Sequence, residues 1–168
     1  MRKVLVPVDG SRNCRFAVKH VIKQFMKNTA MEVYLLNVQP PFSRYIAQFA
    51  SKRSRKDYHR EQAERALGPI KRMLDGFGIP YSAHAEVGEK AKLIANIARR
   101  LRCDQIVMGT ARKNSLTRLI ENSVTNKVIE LTTVPVEVIA GDTVSRWERY
   151  GIPAGLAAGL ALALAAVE

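Results

Sequence analysis

The sequence predicts an α/β fold, in which one open, mostly parallel sheet carries helices on both faces. Short apolar segments typical of buried strands alternate along the chain with longer segments whose apolar residues recur at helical spacing. Strands that alternate with helices form βαβ units, and the right-handed crossovers of these units make the strands parallel. The pattern occurs once within 168 residues, which predicts one domain rather than a tandem repeat.

Five segments are predicted to be strands. They are residues 4–8, 32–38, 81–87, 105–108 and 134–139. The first is followed by the turn Asp9-Gly10-Ser11, and Pro40 with Pro41 ends the second, because proline cannot donate a hydrogen bond to a neighbouring strand.

Four segments between these strands are predicted to be helices. They are residues 16–25, about 57–76, 92–101 and 116–131. In the third helix Ile94, Ile97 and Leu101 fall on one face, which is the pattern of a helix that packs on a sheet.

Two turns are candidates for a ligand site. In open sheets of this kind a ligand binds beyond the carboxyl ends of the strands, where the strand order reverses. Asp9-Gly10-Ser11 follows the first strand, and Met108-Gly109-Thr110 follows the fourth. If these two strands are neighbours at the reversal, both turns face the same crevice.

Four stretches in order resemble the universal stress proteins. They are VLVPVDGS near the start, EVGEKAKLIANIA, DQIVMGT, and NSVTNKVIELTTVPVEVI near residue 139. The resemblance extends in register through about 140 residues. It implies a five-stranded sheet of order 3-2-1-4-5 and a homodimer paired through the last strand, which begins at Val134 and ends at Ile139.

Many members of that family bind ATP through a signature of three glycines and a hydroxyl residue. On this sequence the signature falls on Gly109, Arg112, Asn122 and Ser123, so two glycines are replaced. Asparagine tolerates a positive φ, and a helix that begins near Ser123 would still direct N–H groups at an anion. The β-carbon of Arg112 hinders a close approach of backbone to phosphate, although its guanidinium offers another contact. We therefore expect ATP binding to be weak or lost.

The predicted nucleotide site has ten residues in all. They are Asp9, Val38, Gly88, Met108, Gly109, Thr110, Arg112, Asn122, Ser123 and Val124. Several have a plainer explanation: Asp9 and Ser123 as helix caps, Gly88 as a turn before a helix, and Arg112 as part of a solvated basic loop.

The net charge of +12 predicts attraction to polyanions, namely nucleotides, nucleic acid or an anionic membrane. Between Arg44 and Arg72 nine basic residues stand against three acidic ones, and Tyr45, Phe49 and Tyr58 are interspersed. Basic residues mixed with aromatic ones are typical of nucleic-acid binding. We favour a solvated loop and helix start over the mouth of the pocket instead.

The sequence gives no sign of a dedicated enzyme. It has no nucleophile elbow, Walker lysine motif or paired catalytic carboxylates, and His20, His59 and His84 lack metal-ligand spacing. The two cysteines form no CxxC motif, and no signal peptide precedes the first strand, so we expect a cytoplasmic protein.

The C-terminal segment sets this chain apart from a bare α/β domain. Residues 1–141 form the predicted domain, 142–150 a basic and aromatic linker, and 151–168 an apolar helix. That helix is short for a membrane span of about 30 Å. Three interpretations stay open: attachment of residues 146–168 to an anionic membrane surface, on the inner face of the cytoplasmic membrane; packing against the domain or a partner; or, with the least support, disorder.

The sequence therefore predicts a non-catalytic stress-response or regulatory protein with a nucleotide-type pocket. The alternative is a membrane-tethered adaptor whose pocket is vestigial. A third, weaker interpretation is a nucleic-acid-associated protein bound through its basic surface.

Overall fold

The computed structural model describes residues 1–112 and 124–143 of the chain. Five strands form one sheet in the order β3-β2-β1-β4-β5, and all adjacent strands are parallel. The strands are β1 (Arg2–Pro7), β2 (Met31–Gln39), β3 (Tyr81–Val87), β4 (Gln105–Arg112) and β5 (Val136–Thr143). The helices are α1 (Arg12–Lys27), α2 (Arg44–Phe49), α3 (Lys52–Asp75), α4 (Lys90–Arg100) and α5 (Val124–Leu131). This confirms the predicted fold class and strand order.

Both faces of the sheet are covered, which explains why its central strands are continuous apolar runs. Along β1, Val4 and Val6 belong to a core shared with α1 and α3, and Leu5 belongs to a second core shared with α4 and α5. Successive side chains of a strand point to opposite faces, so each strand contributes to both cores.

Two helices begin earlier than the periodicity predicts, because serine side chains cap them at earlier positions. The Ser11 hydroxyl accepts a hydrogen bond from the Cys14 N–H at 3.3 Å, so α1 begins at Arg12. The Ser51 hydroxyl does the same for the Ser54 N–H at 3.0 Å, so α3 begins within the basic segment. Side-chain oxygens at these positions satisfy N–H groups that a helix leaves unpaired.

The segment predicted as a solvated loop over the pocket mouth contains a further helix, α2. It has six residues, and the Ser43 hydroxyl accepts from the Ile46 N–H at 3.4 Å. A single helical turn and a half carries too few apolar positions to show a period, which is why the sequence pattern does not reveal it.

The last two strands also run further than predicted. β4 continues past Met108 to Arg112, and β5, which begins at Val136 rather than Val134, continues past Ile139 to Thr143. Their pairing extends to Arg112 opposite Thr143, with an irregularity after Thr110. Pairing between strands, rather than local composition, sets these bounds.

Several predictions fall outside the described residues. They are the site residues Asn122 and Ser123, the first part of the helix predicted over 116–131, the linker from 144 and the apolar segment 151–168. Among the helices of residues 1–112 and 124–143, none has the length and apolar character needed to span a membrane.

Candidate functional site

A cavity of about 230 Å³ opens at the carboxyl ends of β1, β2 and β4. β1 pairs with β2 on one side and with β4 on the other, so the strand order reverses here. The helices that follow the neighbouring strands β1 and β4, namely α1 and α5, lie on opposite faces of the sheet, which opens a crevice between the strand ends. Both turns singled out from the sequence line it, through Asp9 and Ser11 on one side and Met108, Gly109 and Thr110 on the other.

Asp9 is the only acidic residue that lines this cavity in the part of the chain described. Its Oδ1 accepts a hydrogen bond from the Ser11 N–H at 2.9 Å, while Ser11 itself caps α1. Gly10 between them has φ +79°, a left-handed conformation that favours glycine. The turn thus fixes the Asp9 carboxylate at the cavity without using it as the helix cap.

One side of the cavity is apolar. Val38 at the end of β2 and Met108 on β4 are 8% and 6% exposed, and Val124 at the start of α5 completes this side. An apolar side together with a fixed carboxylate suits a flat ring attached to a hydroxylated group.

Gly109 is required by the packing of α1 against β4. A β-carbon at this position would lie 2.1 Å from the backbone oxygen of Asn13 and 2.9 Å from the Cys14 nitrogen. Backbone atoms of a capped helix cannot move aside easily, so only glycine fits. This contact brings the first turn of α1 to the cavity, where Asn13 and Cys14 join the lining.

The Cys14 thiol is buried and donates to the Ser11 carbonyl oxygen at 3.1 Å. Burial, reinforced by the Asp9 carboxylate, raises the pKa of Cys14 above the ordinary thiol value. A raised pKa keeps the thiol protonated near neutral pH, which makes it a poor nucleophile. Cys14 therefore lines the cavity without acting as a nucleophile.

Gly88 is not among the described residues that line this cavity. Its N–H donates to the Gln39 carbonyl oxygen at 2.8 Å, and a β-carbon there would lie 2.8 Å from Leu93 Cδ1. Arg112 ends β4 with its backbone paired to Thr143. Of the ten predicted residues, Asp9, Val38, Met108, Gly109, Thr110 and Val124 line the cavity.

The sequence interpretation missed other lining residues. They include Pro7, Asn13, Cys14, Leu36, Lys90, Ile94 and Thr125. Lys90 was detectable in principle, because it opens a helix that starts at the same edge of the sheet as the two turns. Asn13 and Cys14 reach the cavity only through the close approach of α1 to Gly109, which no local pattern reveals. Within the described residues no three metal-ligating side chains lie together.

Comparison with known proteins places this geometry in a family. The sequence model of the universal stress protein family matches residues 1–140. Universal stress protein MJ0531 of Methanocaldococcus jannaschii is 31% identical over 140 residues, which cover 82% of this chain and 81% of that protein.

Solved structures share the same fold. The structure of MJ0577, described as a test case for assigning biochemical function from structure, has a TM-score of 0.69 at 28% identity, covering 85% of this chain and 98% of its own. A universal stress protein family protein from Arabidopsis thaliana, solved with AMP bound, has a TM-score of 0.63 at 18% identity, covering 84% of this chain and 93% of its own. The cavity at the reversal of strand order is called the switch-point cavity below. The sheet order, this cavity and these matches agree, and the chain belongs to the universal stress protein family.

Proposed function

We propose that this protein is a stress-response protein that binds an adenine nucleotide in the switch-point cavity and acts as a ligand-responsive binding protein rather than as an enzyme. The observation that carries the proposal is the Asp9 carboxylate, which the Asp9–Ser11 turn fixes in the same cavity as the apolar side chains of Val38 and Met108, at the reversal of strand order. A carboxylate beside apolar walls can accept hydrogen bonds from ribose hydroxyls while the base lies against Val38 and Met108. The AMP bound by the Arabidopsis relative supports this ligand class.

The residues present fit the nucleoside better than a triphosphate. Asp9, Val38 and Met108 keep the apolar and acceptor groups that a nucleoside needs. Two glycines of the family's phosphate signature are replaced by Arg112 and Asn122. A β-carbon where backbone N–H groups should approach an anion weakens that approach. AMP should therefore bind at least as well as ATP.

Titration calorimetry of the full-length protein with AMP and ATP tests the proposal. Asp9→Ala should weaken AMP binding by about 1.5–3 kcal/mol, the contribution of a hydrogen bond to a charged group. Glu130→Gln is the matched control, because Glu130 is an exposed carboxylate on α5 that does not line the cavity. If AMP does not bind the unaltered protein, or binds Asp9→Ala as tightly, the proposed site is wrong.

A separate experiment tests how Arg112 and Asn122 affect binding of the triphosphate. If Arg112 and Asn122 obstruct the triphosphate, replacing both by glycine should strengthen ATP binding and leave AMP binding nearly unchanged. Sub-micromolar ATP binding by the unaltered protein would contradict the expected preference.

A further inference from the structure

A second cavity of about 470 Å³ adjoins the nucleotide cavity at the end of β2. It lies between the segment from Asn37 to Ile46 on one side and α3 on the other. Asp9, Val38 and Lys90 line both cavities, so the two are adjacent parts of one cleft. The first cavity alone is smaller than the usual 300–1,000 Å³ of a ligand site, which leaves the second as room for more of the same ligand.

The wall of the second cavity is aromatic. The Phe42 ring packs against both Tyr58 and His59, with centroid distances of 5.2 and 4.8 Å and interplanar angles of 53° and 50°. Tyr58 is 48% exposed, so this cluster is open to solvent rather than part of the core. Aromatic side chains at a solvent-filled cleft bind the π-faces of nucleobases at low cost in conformational entropy.

Hydrogen bonds hold this wall in place, and their pattern determines which side-chain atoms donate and which accept. The Asn37 Nδ2 donates to the Val8 carbonyl at 2.7 Å, so its Oδ1 accepts from Gln39 Nε2 at 3.0 Å. Gln39 Nε2 also donates to the His59 carbonyl at 2.8 Å, which leaves Gln39 Oε1 to accept from His59 Nδ1–H at 2.8 Å. These bonds join α3 to the end of β2, and they leave Nε2 of a neutral His59 as an acceptor.

Lys90 supplies a cation at the boundary between the two cavities. It is half-buried at the first residue of α4, and it forms no ion pair with any residue in the described ranges. Its ammonium group favours a negative charge at this place, whereas the N-terminal N–H groups of Ala91 and Lys92 are already bound by the Glu89 carboxylate. The remaining lining of the second cavity is uncharged apart from Asp9.

We infer that the cleft binds a dinucleotide, two nucleosides joined by phosphate, rather than a single nucleotide alone. One nucleoside occupies the first cavity, the linking phosphate lies at Lys90, and the second base stacks on Phe42. This inference rests on the proposed function, because it places the first nucleoside where AMP binds. It goes beyond that function by naming a ligand class and a second base site.

Calorimetry with AMP and with adenylyl-(3′→5′)-adenosine, on the full-length protein, tests the inference. The dinucleotide should bind about tenfold or more tightly than AMP, the gain expected from stacking one more base on an aromatic side chain. Phe42→Ala should remove this gain and leave AMP affinity within about twofold, since Phe42 does not line the first cavity. Lys90→Gln should reduce dinucleotide affinity by a similar factor. Phe77→Ala, an exposed phenylalanine outside both cavities, is the matched control.

The outcomes separate this inference from the proposed function. AMP binding with no gain for the dinucleotide, or a gain that persists in a folded Phe42→Ala variant, overturns the second base site alone. Failure of both ligands to bind overturns the proposed function as well. Thermal melts of each variant show that a lost gain does not come from unfolding.

Discussion

At the scale of single residues, Gly109 and Gly68 differ in what surrounds the position of a missing β-carbon. At Gly109 that position is 2.1 Å from the Asn13 backbone oxygen, whereas at Gly68 within α3 the nearest atom, the end of the Arg72 side chain, is 3.6 Å away. Packing therefore requires glycine at position 109, whereas Gly68 only adds flexibility to the unfolded chain.

Alanine substitutions at these two glycines should therefore act in opposite directions. Gly109→Ala forces α1 away from β4 and should lower the free energy of unfolding by about 1–3 kcal/mol. Gly68→Ala should raise it by about 0.5–1 kcal/mol, because alanine favours helix more than glycine does. Urea denaturation of both variants measures this. A Gly109→Ala protein as stable as the unaltered one would show that the helix start is not held against β4.

Cys14 is a titratable residue that lines the ligand cavity, so its reactivity should depend both on pH and on ligand binding. Because burial and Asp9 raise the pKa of its thiol, little thiolate is present at neutral pH, and thiolate becomes the main form only above the ordinary thiol range. We expect iodoacetamide to modify Cys14 slowly at pH 7.5, faster by about tenfold per pH unit above it, and more slowly again when AMP fills the cavity.

Peptide mass spectrometry follows each thiol separately. Cys103 is the internal control: it is buried, the pKa of its thiol is raised to about 11 chiefly by burial, and it does not line the cavity. AMP should leave its rate unchanged. Equal protection of both cysteines would mean that AMP stabilises the fold globally rather than shielding Cys14.

At the scale of elements, the start of α4 depends on an unusual cap. The Glu89 carboxylate accepts hydrogen bonds from the Ala91 and Lys92 N–H groups, each at 3.1 Å. These bonds satisfy two donors that the helix leaves unpaired, and the negative charge lies at the positive end of the helix dipole.

Removing this cap should destabilise the protein. Glu89→Ala should lower the free energy of unfolding by about 1 kcal/mol. Glu89→Asp should retain most of the stabilisation that the cap contributes, since aspartate is among the preferred capping residues. Thermal and urea unfolding of both variants provide the comparison. Equal stability of Ala and Asp variants would show that the two N–H groups find water instead.

At the scale of the whole molecule, β5 is a strand at the edge of the sheet. It pairs with β4 only, within the part of the chain described, and Val138 on it is 40% exposed. An edge strand presents unpaired backbone groups, and an apolar side chain there favours pairing with a second copy. We propose a homodimer through this strand, the assembly that the sequence resemblance implies.

Light scattering at micromolar concentration should show twice the chain mass of 18.7 kDa. Val138→Lys should shift the protein toward monomer, because a lysine at an edge opposes strand pairing. The same experiment on a chain that ends at residue 150 separates this contact from any made by the apolar C-terminal segment. A monomer in both forms would rule out the edge-strand dimer.

The sequence alone determined the α/β class, and the resemblance of its four stretches supplied the strand order. Period-two and period-3.6 patterns are local, so residues 81–87 were predicted with the bounds that β3 has. The turn residues Asp9 and Met108 to Thr110 were also predictable, because chain topology places the ends of parallel strands at one edge.

Only the tertiary structure decided what completes the cleft. Cys14 reaches it through the close approach of α1 to Gly109, and the wall of Phe42 and His59 forms because hydrogen bonds join α3 to the end of β2. Lys90 and Asp9 both line the boundary of the two cavities, although they lie far apart in the chain. Such contacts depend on distances between elements far apart in sequence, and a local pattern carries no information about them.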